Sequence, residues 1–135
     1  MDKELTIIGY IRSEITDIDS APKMEDEPGA VLARIELDPK YLDGLDSMEP
    51  GCELELFTWL HKADRSVLKV HPRRDCNRPK RGVFTTRSPD RPNPIGLHRV
   101  TLVAIDYPTT LLVEPLEVVD GTPVIDIKPK PKEKQ

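Results

Sequence analysis

The residues best suited to do chemistry lie in one stiff, basic stretch, Gly82–Gly96 (GVFTTRSPDRPNPIG). It places Arg87, Arg91, Asn93 and three prolines between apolar flanks. Each proline fixes its own φ near about −65° and pushes the preceding residue toward extended geometry, which holds Arg91 and Asn93 in position before a ligand arrives. Such pre-ordering lowers the entropy cost of binding. The forked guanidinium of Arg87 suits a bidentate carboxylate contact, so the stretch predicts an anion-binding loop.

Charge is distributed unevenly along the chain. Residues 1–57 contain 15 acidic and 5 basic residues, whereas residues 69–99 contain 9 basic residues and 2 aspartates. The formal net charge of −4 makes the whole protein a poor nonspecific binder of nucleic acid, yet a local cationic face still attracts phosphate or carboxylate. We therefore expect an anionic partner to meet residues 69–99, where Arg73 and Arg74 would steer phosphate.

A second polar group follows Asp120–Pro123, which is chemically a tight turn because aspartate and glycine favour reversal and proline locks the exit. Asp126 and Lys128 stand two residues apart. On a strand that spacing puts both side chains on one face. We expect them to project toward the space of Arg91 and Asn93 and to form a polar wall for a substrate.

Histidine and cysteine supply few further candidates. His61 ends an amphipathic strand, where histidine is more often packed or solvent-facing than a base, although an ordinary pKa of about 6.5 permits either role. Cys52 and Cys76 form neither a CxxC pair nor a disulfide framework. Cys76 with His71 would be half of a zinc site without its remaining ligands, so we expect no metal.

Short strands must position these residues. Apolar and polar residues alternate over Val31–Asp38 and Cys52–Leu60, and a first strand is predicted over Leu5–Ile15. Further strands are predicted at residues 67–70, 97–107, 111–113 and 116–119. Asp38–Leu45 has an N-cap candidate followed by proline, which predicts one short α or 3₁₀ helix. Many short strands without long helices indicate a mainly β barrel or sandwich.

Length and composition indicate one core domain, residues 1–130, followed by a flexible tail, residues 131–135. A chain of 135 residues is too short for a full doubly wound sheet. No apolar run approaches the ~20 residues that span a bilayer, and the N-terminus lacks a signal pattern, so we expect a cytoplasmic protein without a membrane partner. The acidic residues 17–29 predict a solvated loop, with a flap over a ligand as the alternative.

Together with Val119–Pro129 (VDGTPVIDIKP), the Gly82–Gly96 stretch closely resembles the signature of the TrmO (TsaA-like, VirR/YaeB) family. His71–Asp75 resembles the family's His-Pro-Arg-Gly-Asp element, with Arg74 replacing glycine. The resemblance implies a compact single-domain β-barrel with at most one or two short helices. It also implies methyl transfer from S-adenosyl-L-methionine to N6 of threonylcarbamoyladenosine, next to the anticodon of certain tRNAs.

The resemblance also implies a site. Arg87 would anchor the cofactor. Leu60, Leu97 and Leu116 would line an adenine slot unless they simply pack in the core. Glu114 or Glu117 would accept hydrogen bonds from the ribose or the ammonium group. His61 or Asp126 would take the acceptor's proton, an alternative that stays open. The cofactor set is Pro22, Lys23, Met24, Leu60, His61, Arg87, Leu97, Glu114, Pro115, Leu116 and Glu117. The substrate set is Arg73, Arg74, Arg91, Asn93 and Lys128.

Several residues depart from the family pattern near this implied site. They are Met24 for glutamine, Glu114 for glycine, Glu117 for aspartate, His98 for a small hydroxyl residue and Lys130 for tyrosine. Exchanging tyrosine for lysine would alter acceptor recognition more than cofactor binding. Longer bacterial relatives also carry a C-terminal domain, which we expect this protein to lack. A small-molecule or protein acceptor, or a noncatalytic S-adenosyl sensor, is therefore the alternative. The family further implies a homodimer with the cofactor near the interface.

Overall fold

Alternating apolar and polar residues build a closed, antiparallel barrel. The computed structural model describes residues 3–13, 32–72 and 75–131. Their strands are β1 (Gly9–Arg12), β2 (Ala33–Leu37), β3 (Glu53–Trp59), β4 (Lys69–Val70), β5 (Arg81–Gly82), β6 (Ile95–Asp106), β7 (Thr110–Glu114) and β8 (Pro123–Pro129). Six of them close the barrel in the order β1-β2-β7-β6-β3-β8, and β4 pairs with β5 in a separate ribbon.

The barrel interior is a packed apolar core. On β2 the side chains of Ala33, Ile35 and Leu37 are buried while Arg34 and Glu36 are exposed, because successive strand residues point to opposite faces. The core comprises Ile11, Ala33, Ile35, Leu37, Leu54, Leu56, Val100, Leu102, Leu111, Val113, Leu116, Val118 and Val124. With the interior filled, polar residues can meet a ligand only at the barrel's ends or on its outer face.

The barrel has two chemically different ends. We call one the loop end, where β3 stops and β6 and β8 begin; there Thr58 is the register partner of both Gly96 and Val124. We call the other the hairpin end, formed by the β6–β7 turn (residues 107–109) and the 3₁₀ helix Pro39–Leu45 that follows β2. The hairpin end is closed by bonds between Leu37 and Thr109, at 3.1 Å from amide to carbonyl and 3.0 Å from hydroxyl to carbonyl.

A long connection, residues 60–94, leaves the loop end between β3 and β6. It carries β4, β5 and the 3₁₀ helix Val83–Thr85. Val83 is buried, and its amide donates to the Leu68 carbonyl at 2.9 Å. The buried Val83 side chain and this hydrogen bond hold the connection in place.

The mainly β barrel and the helix or 3₁₀ turn at 39–45 are confirmed, and Asp38 caps that helix by accepting from the Lys40 amide at 3.1 Å. The strand predicted at 116–119 is wrong. Leu116, Glu117 and Val118 are all buried, so this segment enters the barrel end instead of alternating, and the Ser13 hydroxyl holds it by donating to the Val118 carbonyl at 2.6 Å.

The first strand begins at Gly9 rather than at the predicted Leu5 and pairs with β2 as far as Arg12, while the last two predicted residues, 14 and 15, lie outside the described ranges. Residues 17–29 and 132–135 lie outside the described residues, so the loop or flap prediction for 17–29 stays a prediction. Within the described ranges, no helix has the length and apolar character needed to cross a membrane.

Candidate functional site at the loop end

A polar cluster occupies the inner side of the loop end. The Thr58 hydroxyl lies 3.0 Å from His98 Nε2, and Thr58 is completely buried. Gly96 makes room for this pair: a Cβ at its position would lie 2.5 Å from Thr58 Oγ1, 2.8 Å from His98 Nε2 and 3.2 Å from Leu60 Cδ2. Glycine lets β6 pass this close without displacing these side chains. The loop end therefore combines a hydroxyl, an imidazole and a leucine side chain within one small space.

Arg91 braces the basic loop from inside. Its guanidinium donates to the Thr86 carbonyl at 2.6 Å and to the Val83 carbonyl. Its Nε–H group is buried and finds no acceptor among the described residues. Arg91 thus braces the loop that carries Arg87. The prediction that Arg91 orients a substrate stays a prediction.

Arg87 lies at the outside of this braced loop. Its side chain is exposed and forms no hydrogen bond or ion pair with the part of the chain that the structure describes. The backbone on either side of it is ordered by short-range bonds, since the Ser88 amide donates to Thr86 Oγ1 at 3.3 Å and the Asp90 amide to Ser88 Oγ at 3.2 Å. The exposed Arg87 guanidinium is therefore carried by backbone that local hydrogen bonds hold in place.

Arg65 is a functional candidate that the sequence analysis missed. Its guanidinium lies 5.0 Å from the Trp59 ring centroid and donates to the Pro92 carbonyl at 2.7 Å and to Asn93 Oδ1 at 3.3 Å. Asn93, predicted to contact substrate, is thus oriented by Arg65. Nothing in the local sequence marks this arginine, because its partners are 6 to 28 positions away and meet only in the folded barrel.

The turn after β3 is pinned to the proline-rich loop. The Leu60 amide donates to the Pro94 carbonyl at 2.8 Å, and the Asp64 amide donates to Asp90 Oδ1 at 2.8 Å. Hydrogen bonds from the hydroxyl and amide of Ser66 lower the pKa of Asp64 below its ordinary 3.8. Hydrogen bonds thus join the turn that carries Arg65 to the loop that carries Arg87.

The two predicted proton acceptors occupy different places. His61 lies exposed in the turn after β3, where partial desolvation and then the neighbouring Lys62 charge lower its pKa from 6.5. Asp126 is exposed on β8 as the register partner of Phe57, and its carboxylate accepts from the Ile127 amide at 2.9 Å. An imidazole that is neutral at pH 7 can accept a proton, so His61 and Asp126 both stay candidate acceptors.

Lys128 lies on the same outer face as Asp126, with its ammonium 5.6 Å from the Phe57 ring centroid. Phe57 and Trp59 share that face of β3 because they are two residues apart. Arg65 and Asn93 therefore join Lys128 along one strip of the outer wall. Arg91 is turned away from this strip, toward the carbonyls it braces.

The remaining predicted cofactor residues divide by burial. Leu116 is fully buried in the core, so its side chain packs rather than lining an open slot. Glu117 is also buried, whereas Glu114 and Leu97 are exposed and Pro115 is half-buried. Core packing, the alternative named for the leucines, accounts for the burial of Leu116, and the adenine slot stays a prediction. The predicted turn at Asp120–Pro123 is confirmed, and Gly121 adopts the positive φ of 83° that such a turn requires.

Some predicted site residues lie outside the described residues, so their placement is not part of this geometry. They are Pro22, Lys23, Met24, Arg73 and Arg74. In the described ranges, histidine, cysteine and acidic side chains do not group in threes as a metal site would need.

Comparisons with known proteins agree with this architecture. Residues 10–133 match the family described as the tRNA-methyltransferase O N-terminal domain. A protein of Methanothermobacter thermautotrophicus, named probable S-adenosyl-L-methionine-binding protein, is 42% identical over 130 residues, or 95% of this chain and 91% of that protein. An S-adenosyl-L-methionine-binding protein of Archaeoglobus fulgidus is 40% identical over 121 residues, or 90% of this chain and 84% of that protein.

Solved structures are similar as well. The crystal structure of TrmO from Pseudomonas aeruginosa superimposes with a TM-score of 0.74 at 31% identity, covering 96% of this chain and 56% of that one. This chain therefore spans little more than half the length of that solved protein.

Proposed function

Because the chain belongs to the tRNA-methyltransferase O N-terminal domain family, we propose that it is an S-adenosyl-L-methionine-dependent methyltransferase that acts on tRNA in the cytoplasm. The acceptor we propose is N6 of threonylcarbamoyladenosine beside the anticodon. The observation that carries the proposal is Arg87, an exposed guanidinium on a braced loop at one end of the barrel. The connection that bears it supplies the positive charge that a phosphate backbone attracts.

The residues at the loop end fit S-adenosyl-L-methionine. Arg87 would bind its carboxylate through a bidentate contact, and the Arg91 Nε–H group, which meets no acceptor among the described residues, is a second donor nearby in sequence. Leu60 would contact the adenine, and Glu114 would accept from the ribose or ammonium. When bound, this cofactor supplies an activated methyl group on a positively charged sulfur.

Methyl transfer needs alignment and exclusion of water more than covalent help from the protein. The carbon–sulfur bond of the donor breaks as the carbon–nitrogen bond to N6 forms, so the donor loses its charge and N6 must lose a proton. We assign that proton to His61, since its lowered pKa keeps the imidazole neutral at pH 7. Asn93, fixed by Arg65, would orient the acceptor.

The test is transfer of label from methyl-labelled donor. The purified protein is incubated in parallel with total tRNA, with a small-metabolite pool and with denatured protein, and the label is located by separation. Label in tRNA, on the modified adenosine, supports the proposal. Label in metabolites or protein would support another acceptor, and label that stays on a tightly bound donor would support a sensor.

Salt gives a second measurement on the same protein. Several phosphate contacts release counterions, so the affinity for tRNA should fall steeply as ionic strength rises, whereas a neutral small acceptor would show a weak dependence. A flat response with tRNA would contradict the assigned acceptor.

We also propose that the protein is a homodimer. Ile95 and Leu97 expose apolar side chains at 46% and 36% on the outer face beside Phe57 and Trp59. A second copy would cover this strip and add residues to the loop end. Light scattering at several concentrations should give twice the chain mass, and Ile95→Glu should return a monomer; a monomer in the unaltered protein would overturn the assignment.

A further inference from the structure

Phe84 is the most unusual side chain of the long connection, because 81% of it is exposed. Large apolar side chains on a surface are common singly, but a phenylalanine this exposed loses most of the free energy that burial would provide. The chain has only two phenylalanines, and the other, Phe57, is half-buried on the barrel wall. Phe84 therefore contributes little to the core.

The ring stands on an anchored support. Its neighbour Val83 is 1% exposed, and the Val83 amide is bonded to the Leu68 carbonyl. The Val83 carbonyl accepts from Arg91 and from the Thr86 hydroxyl, and the Thr85 hydroxyl donates to the Gly82 carbonyl at 2.7 Å. The backbone on both sides is thus tied down. Phe84 is presented outward by the fold rather than left there by a loose loop.

Basic residues flank Phe84 in the sequence. Arg81 lies three residues before Phe84 and Arg87 three residues after, and both side chains are exposed. Lys69 is carried by β4 opposite Gly82 in the two-stranded ribbon. No acidic residue stands between Asp75 and Asp90 in the sequence. The ring is therefore an exposed, flat apolar surface on a segment whose neighbouring charged residues are basic.

That combination is the one that proteins use for unpaired nucleotides. Aromatic side chains stack on bases while nearby Lys and Arg hold the backbone, whereas a protein partner would need a wider apolar surface around the ring. We propose that Phe84 stacks on an unpaired base of the RNA that this protein binds, next to the base that enters the loop end. The proposal rests on the proposed function, because it takes tRNA as the partner.

The experiment measures the affinity for a fluorescently labelled anticodon stem-loop RNA. Phe84→Ala should weaken binding roughly tenfold to hundredfold, as expected when one base loses its stacking partner. Phe84→Trp should bind at least as well as the unaltered protein. The slope of affinity against salt should not change, since phenylalanine neutralises no phosphate, whereas Arg81→Ala should make that slope shallower.

Tyr107 offers a matched control. It is also 81% exposed, but it lies at the hairpin end beside Asp106. Tyr107→Ala should therefore leave RNA affinity unchanged. Circular dichroism, and calorimetry with S-adenosyl-L-methionine alone, check that each variant is folded and binds the donor as before.

The outcomes separate this inference from the proposed function. If the unaltered protein binds and methylates tRNA while Phe84→Ala does so equally well, the stacking role is wrong and the proposed function stands. If the unaltered protein binds no RNA, both are overturned. A change of oligomeric state in Phe84→Ala without a change in RNA affinity would identify the ring as a contact between copies and would also overturn the stacking role.

Discussion

The two ends of the barrel are built by the same strands but differ in charge and in how they are held together. The hairpin end, residues 38–53 and 106–109, carries six acidic residues and one lysine. The connection at the loop end, residues 60–94, carries ten lysines and arginines and three aspartates. Strand β6 runs between them over twelve residues, so roughly 35–40 Å of strand separates the acidic end from the basic end.

The ends also differ in what their side chains do. At the hairpin end, backbone bonds and one threonine hydroxyl close a short turn. At the loop end, Arg91 and Arg65 each donate hydrogen bonds to carbonyl groups of the connection itself. The arginines that brace the surface thereby leave Arg87 and Phe84 free to face solvent. The exposed Arg87 and Phe84 are thus carried by the long connection, while the apolar core lies inside the barrel.

Substitutions at Gly9 and Gly96 are the strongest test of this difference between the connection and the barrel. A Cβ at Gly9 would lie 2.9 Å from Leu37 Cα and closer still to the Glu36 carbonyl, so it would collide with backbone. A Cβ at Gly96 would meet the side chains of Thr58, His98 and Leu60, which can turn aside. Gly9→Ala should therefore cost at least about 3 kcal/mol of unfolding free energy, and Gly96→Ala about 1–2 kcal/mol.

Denaturant unfolding measures both changes. Donor binding by the folded fraction should be retained in Gly9→Ala and weakened in Gly96→Ala, because only the second change crowds the loop end. Equal stabilities, or donor binding lost in Gly9→Ala alone, would break the comparison.

The barrel and most strands follow from sequence alone, because alternation with a period of two is a local property. The error at 116–119 has a physical cause: four apolar or acidic residues in a row resemble a strand, but here they enter the end of the barrel. In the site, the prolines that follow Arg87 in the sequence predict a restricted backbone around it. The bracing by Arg65 and the pairing of Thr58 with His98 join residues 27 to 40 positions apart, so only the fold brings them together.

His61 should determine the acidic limb of the pH–rate profile, which is the fall of the methylation rate at low pH. Its pKa lies below 6.5, so the base form predominates at pH 7 and the rate should fall as the pH drops through that lowered pKa. His61→Gln should reduce kcat about a hundredfold and remove this limb, as expected for loss of a general base. Asp126→Asn is the control and should keep both the rate and the limb; the opposite pattern would assign the proton to Asp126.

Arg87 should affect donor binding without affecting stability. Arg87→Ala should raise the Kd for S-adenosyl-L-methionine roughly tenfold to hundredfold, the usual effect of losing a charged hydrogen bond. Unfolding free energy should change by less than about 0.5 kcal/mol, because the side chain is exposed and bonds to no described residue. Calorimetry measures the first and denaturant the second.

The control for Arg87 is Arg99→Ala, which removes an exposed arginine that lies 3.5 Å from a Glu55 oxygen on the barrel wall. It should leave donor affinity unchanged. Unchanged affinity in a folded Arg87→Ala variant would remove Arg87 from the site.

Arg65 should affect the local order of the loop end more than global stability. Arg65→Ala removes the Trp59 contact and the bonds to Pro92 and Asn93, which together are worth about 1–2 kcal/mol. Hydrogen exchange at the amides of Leu60 and Ile95 should become faster, while exchange at the hairpin end stays the same. Faster exchange at both ends would mean that Arg65 stabilises the whole barrel.

Ser66 should have the smallest and most local effect. Its hydroxyl donates to Asp64 Oδ1 at 2.6 Å and its amide at 2.9 Å, and these bonds hold the pKa of Asp64 below 3.8. A lowered carboxyl pKa contributes stability above the ordinary pKa and loses it as pH falls through the folded value. Ser66→Ala removes only the hydroxyl bond, so carbon NMR titration should show the Asp64 pKa rising part of the way toward 3.8. Donor affinity at pH 7 should not change, because Asp64 stays ionised; a change there would show that this turn acts on the site through its hydrogen bonds.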